Sequence, residues 1–161
     1  MSEFQDTGLE AFLDLGFEFV HQPDPVAAGM RPKRRVPLLL LLTAKSRGNR
    51  LSWKGVHLLS WAVRSTEHMD LLLTLEAGYD VPDLPIVRIE PAMDRAIDLA
   101  LGLGFLTALN GRSFQLTPLG VELVREIERS AAFFAEREQL ARLRGKLTQI
   151  QVERLLEWRA Q

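Results

Sequence analysis

Cysteine is absent from the 161 residues, so disulfide frameworks, thiolate metal sites and cysteine nucleophiles are excluded, and a reducing compartment is compatible. Long hydrophobic runs are missing as well. The longest, Val36 to Leu42, is interrupted by Pro37 and falls far short of the roughly 20 residues that a membrane span needs. Arg31 to Arg35 ahead of the leucines imitates the basic and apolar regions of a secretory signal. It lies internally and lacks a small-residue cleavage pattern, so it reads as a core helix with a basic lead-in, and the chain as cytoplasmic with no membrane partner.

Charge of one sign is missing from two neighbouring stretches. Residues 1–30 hold six acids (Glu3, Asp6, Glu10, Asp14, Glu18, Asp24) and no lysine or arginine. Residues 31–54 hold eight bases (Arg31, Lys33, Arg34, Arg35, Lys45, Arg47, Arg50, Lys54) and no acid, although the whole chain nets only −1. A stretch of this kind offers a surface to phosphates or to an acidic partner. An intramolecular fold-back of the acidic segment, or plain solvation of both, accounts for the pattern equally well.

The signatures of catalysis and cofactor binding are also missing. His21, His57 and His68 lack metal-ligand spacing, which favours structural roles. The acid pairs Asp94 with Asp98 and Glu126 with Glu128 have neither a basic nucleophile nor a nearby turn that would aim them at a substrate, and read as solvated surface. Gly102-Leu103-Gly104 does not open a helix after a strand, and no phosphate-loop motif occurs, so nucleotide binding has no support. Trp53, Trp61 and Trp158 sit at helical positions with apolar companions, where packing is the default over base stacking. The expectation is a chain with no cofactor, no small-molecule substrate and no enzymatic activity.

What is present is a chain able to bury a core, at 47% hydrophobic and 25% charged residues. Leu9, Phe12, Leu13, Phe17 and Val20 recur at helical spacing in the acidic opening segment. The prolines at 23, 25, 32 and 37 mark an extended linker over 22–37. A helix is expected from Leu38 to Lys45, stopped by Arg47-Gly48-Asn49. Ser52 caps a second helix and Thr66 a third that ends near Gly78, followed by a loop or short strand over 81–91. A helix over 91–103 carries Met93, Ile97, Ala100 and Leu101 on one face. Phe105 to Leu109 and Ser113 to Leu116 form two strands around Asn110-Gly111, a dipeptide suited to a tight hairpin. Thr117 caps a last domain helix with Pro118 in its first turn. Beyond Arg125 dense helix formers predict two helices broken near Gly145, with Thr148 as a cap.

GLGFL, the NGRSFQLT hairpin and the TPLG helix start resemble the C-terminal half of winged helices in the MarR and PadR-like regulator families. The resemblance implies a mainly α fold, a winged helix-turn-helix with a small β-hairpin wing and appended N- and C-terminal helices. Three parts follow: an acidic amphipathic segment and basic linker (1–35), the winged-helix domain (36–130) and a helical extension (131–161). In a DNA-reading regulator the helix before the wing carries basic or amide residues to base edges. Here it has Arg95 alone against Asp94 and Asp98.

The run RRVPLLLLLTAKSRGNRLSWKGVHLLSWAVRS, followed by a short helix, a proline-rich loop and the wing, resembles the middle component of bacterial ABC-three-component defence systems, the Lamassu type included. That resemblance implies a non-enzymatic subunit bridging an SMC-like ATPase and an effector, often a nuclease, with nonspecific contact to the DNA backbone. The residues expected to touch nucleic acid or a partner are Arg31, Lys33, Arg34, Arg35, Lys45, Arg47, Arg50 and Lys54, with Arg112 at the wing. The alternative is a homodimeric transcriptional regulator binding operator DNA.

Overall fold

The computed structural model describes residues 32–79, 89–110 and 112–145, together with 148, 150 and 152. The acidic segment 1–30, Arg31 and the proline-rich stretch 80–88 lie outside the described residues, as does nearly all of the chain beyond Gly145.

The first helix, α1 (Pro32–Ala44), begins six residues before the expected Leu38 and carries Pro37 inside it. Pro32 at the first helical position sacrifices no hydrogen bond, and Pro37 removes one near the N-terminus. Burial outweighs that loss, for Val36 and every residue from Leu38 to Thr43 is buried, with Leu39, Leu40 and Leu42 at 0% exposure. A helix apolar on all sides belongs inside a core. α1 accordingly packs against the sheet and most of the other helices. The linker expected to run through Pro37 is therefore helical from Pro32, and the division placed at residues 35 and 36 falls within α1.

Thr43 donates its hydroxyl to the Leu39 carbonyl (2.8 Å), and a 3-10 turn (Arg47–Asn49) reverses the chain. Gly48 takes φ 70° and Asn49 φ 54° there, conformations that glycine and asparagine tolerate best. A three-residue strand that the periodicity missed, β1 (Arg50–Ser52), follows. Ser52 then caps α2 (Trp53–Ala62) by accepting from the Gly55 N–H. The cap of α3 (Thr66–Glu76) is Ser65, which accepts from the His68 N–H, and Thr66 is only the first helical residue.

After α4 (Pro91–Gly102) come β2 (Leu106–Leu109) and β3 (Ser113–Leu116), and the sheet is antiparallel throughout in the order β1-β3-β2. Thr117 caps α5 (Pro118–Arg129), accepting from the Gly120 N–H while donating to the Gly104 carbonyl (2.6 Å). Gly120 is required by proximity, since a Cβ would stand 2.2 Å from the Phe105 carbonyl oxygen.

α5 ends before Ser130, earlier than the expected break at Gly145, and Phe133 at φ 56° turns the chain into α6 (Phe134–Ala141). Arg137 of α6 reaches back to the Ser130 and Glu128 carbonyls (2.9 and 2.8 Å), satisfying acceptors that the end of α5 leaves open. The described protein is thus mainly helical with one small sheet around a single core. No helix among the described residues is long and apolar enough to cross a membrane.

Candidate nucleic-acid and partner interface

The basic residues divide into two groups. Lys33, Arg34 and Arg35 project from the N-terminal turns of α1, and Lys33 stays exposed. Arg34 pairs with Glu136 of α6 and lies 5.3 Å from the Phe133 ring centre. Arg35, with 13% of its side chain exposed, holds Glu90 at 2.8 Å, and Arg64 just beyond α2 pairs with the same carboxylate. Burial, followed by the neighbouring charge of Arg34, pulls the Arg35 guanidinium below its ordinary range, and burial with the charge of Arg35 does the same to Arg64. These two arginines bind helices together. Lys45, half-buried after α1, borders a separate hollow with Glu128 and Arg137.

Arg47, Arg50, Lys54 and Arg112 are all exposed, and none pairs with a carboxylate among the described residues. Antiparallel pairing brings them together: Arg50 stands opposite Gln115 and Ser52 opposite Ser113. The Trp53 N–H donates to the Arg112 carbonyl (2.6 Å), and the Arg112 guanidinium lies 5.5 Å from the Trp53 ring centre. Residues 31–66 contain no acid, nor do residues 99–121, and β1–β3 pairing joins these two stretches in one sheet. A groove of about 980 Å³ runs between the 3-10 turn, β1, the hairpin and the positions of Thr148 and Ile150, with Arg47, Arg50, Asn110, Ser113 and Gln115 as the other polar side chains in its wall.

α4 is anchored differently. Asp94 Oδ1 accepts from Trp53 Nε1 (2.7 Å) and faces His57 Nε2 at 3.1 Å. The Glu90 N–H donates to His57 Nδ1 (3.2 Å), so the proton sits on Nε2 and is donated to Asp94. His57, 3% exposed, is thereby satisfied at both nitrogens as a neutral ring. Asp94, with 39% of its side chain exposed, is a structural acceptor as well as the surface acid expected, because Trp53 and His57, one turn apart on α2, converge on it. What α4 turns outward is Arg95, Asp98 and Leu99.

No protein-family model, curated protein or solved structure matches the chain.

His68 stacks on Trp61 at 4.5 Å between ring centres, and its Nδ1 lies 3.0 Å from the Trp61 carbonyl oxygen. Among the described residues no cluster of three histidines or acids has metal-site geometry. Sequence reasoning missed Glu90, Arg64 and the Trp53-His57-Asp94 link. A tryptophan and a histidine four apart on a capped helix were the available signal for the last, but the acid they meet lies 37 residues beyond His57.

Proposed function

We propose that this chain is a non-catalytic winged-helix subunit of an SMC-like ATPase antiphage-defence complex, bridging the ATPase and an effector. The winged-helix assignment is supported by a helix that leads directly into a β2–β3 hairpin and by an additional strand, β1, that pairs with β3. The observation that carries the assembly role over operator reading is the state of α4. Its Asp94 is committed to Trp53 and His57, and its outward side shows Asp98 and Leu99 beside the lone Arg95. A helix of that kind meets repulsion from phosphates in a major groove and carries too few donors for base edges.

The test is affinity capture of the tagged chain from its whole native operon, with mass spectrometry of what co-elutes. Stoichiometric recovery of an SMC-like ATPase and an effector is the expected result. A lone homodimer that shifts its own promoter fragment sequence-specifically overturns the reading and leaves a transcriptional regulator.

A further inference from the structure

The geometry points to the groove beside β1 as a sequence-independent binding site for the sugar-phosphate backbone of duplex DNA. The inference takes its biological setting from the assembly reading, in which this subunit and an ATPase meet on the same DNA. Its physical basis is separate.

Four cations flank the short strand, Arg47 and Arg50 in the groove wall at one end, Lys54 and Arg112 outside the groove at the other. The three residues of β1 span about 10 Å, a distance over which duplex DNA, with one charge per ~1.7 Å of axis, presents several phosphates. No acid occurs in either sequence stretch that forms this sheet, and among the described residues none of the four cations pairs with a carboxylate. Arg34, Arg35, Arg64 and Arg142 each meet a carboxylate, whereas Arg95, Arg125, Arg129 and Arg144 stand exposed on helices or turns away from the sheet. What distinguishes the sheet is that four exposed cations gather around one short strand where two acid-free stretches meet, which offers an external anion a positive face.

The wall chemistry favours nucleic acid over an acidic protein. Arg47, Arg50, Asn110, Ser113 and Gln115 are side-chain types that contact phosphate and sugar oxygens, and Leu51, Ala108, Leu109 and Ile150 supply the apolar remainder of the wall. Arg112 is steadied by its stacking on Trp53, which lowers the entropy lost when it meets a phosphate. The neighbouring α4, with Asp98 outward, stands off from a duplex, so contact is restricted to the sheet and hairpin and no base sequence is read.

The measurement is fluorescence polarisation of two unrelated 20-base-pair duplexes with the full-length chain across a salt series. Four phosphate contacts give a slope of log K against log salt of about −3.6, or an affinity loss on the order of 100-fold between 50 and 200 mM salt. The two duplexes should bind within about twofold of one another. Arg47→Gln with Arg50→Gln should bring the slope about two nearer zero, whereas Arg125→Gln with Arg129→Gln on α5 should leave it unchanged. Equal thermal midpoints of the variants establish that folding is intact.

Absence of binding at 50 mM salt overturns the proposal, as does a slope that ignores the paired substitution. Tenfold preference for one duplex overturns it in favour of base reading, and equal competition by polyglutamate overturns it in favour of an acidic protein. Capture of the ATPase by the Arg47→Gln, Arg50→Gln variant separates the two readings: an intact complex with lost DNA binding supports both. DNA binding by a wild-type chain that captures no ATPase sinks the assembly reading alone.

Discussion

At the start of α1, Arg34 and Arg35 meet carboxylates delivered by α6 and by the N-cap of α4, whereas Arg47 and Arg50, from the same acid-free stretch of sequence, meet none. The side chains are chemically identical, and the difference lies in what tertiary structure places opposite them. Arg35 is turned into a seam between helices, where a desolvated guanidinium requires a counterion, while Arg34 pairs at the rim with 49% of its side chain exposed. The second pair sits on a turn and an edge strand in water, where an unpaired charge costs little. Charge that costs little to leave unmatched is free for a partner, and charge buried at a seam is structural.

The largest expected effect breaks the structural side of this comparison. Glu90→Ala leaves Arg35 and Arg64 facing each other across the seam without their shared carboxylate, and should destabilise the fold by about 3 kcal/mol. Urea denaturation at neutral pH measures it. Arg50→Ala, on the unmatched side, should shift the same midpoint by less than about 0.5 kcal/mol. Equal effects from both substitutions would dissolve the distinction. The triple variant Arg35→Met, Arg64→Met, Glu90→Leu should recover most of the loss, since an apolar set leaves no charge stranded.

A second substitution sharpens the comparison at α4. Asp94→Ala removes the acceptor shared by Trp53 and His57 and strands two donors at the contact between α2 and α4. A cost of about 1.5 kcal/mol is expected, seen as a fall of roughly 3 to 6 °C in the thermal midpoint. Loss of His57 ring protection in proton exchange should accompany it. An unchanged midpoint would mean that α4 is held by its apolar face alone, through Met93, Ile97 and Ala100.

These effects explain which parts of the molecule were legible in the sequence. Local rules located Ser52 and Thr117 as caps, Pro118 in a first turn, and the two strands around Asn110. Each of those signals is complete within a few residues. Pro37 misled for a physical reason: its cost is local, and the burial that offsets it depends on α4, α5 and the sheet. β1 is too short for alternation to register, and its partner β3 lies more than sixty residues away. The unmatched basic face was half legible. The acid-free stretch 31–54 was visible in the sequence, but only the strand register joins it to the second acid-free stretch and removes Arg34 and Arg35 from the set.

A smaller effect tests whether exposed ion pairs on the matched side contribute at all. Arg142 pairs with Asp70, bridging the segment after α6 to α3, with both side chains substantially exposed. Arg142→Ala should cost no more than about 0.5 kcal/mol, and raising the salt concentration should shrink even that. A larger loss would give α6 a docking role that the comparison assigns to Arg34 and Arg35.

The smallest effect is visible only as a function of pH. Glu67, in the first turn of α3, has its carboxyl held below the usual carboxylate range, first by a backbone hydrogen bond and then by the Ser65 hydroxyl, with Asp70 opposing. A depressed folded-state pKa means that the unfolded chain binds the proton more readily. The stabilisation is therefore present above the ordinary glutamate pKa of about 4.3 and is lost as pH falls through the lower folded value. Wild type and Glu67→Gln should differ in thermal midpoint at pH 6, and the difference should close as the pH is brought below 4. A difference that stays constant with pH would show that the carboxylate charge contributes nothing to the end of α3, leaving Ser65 as its entire cap.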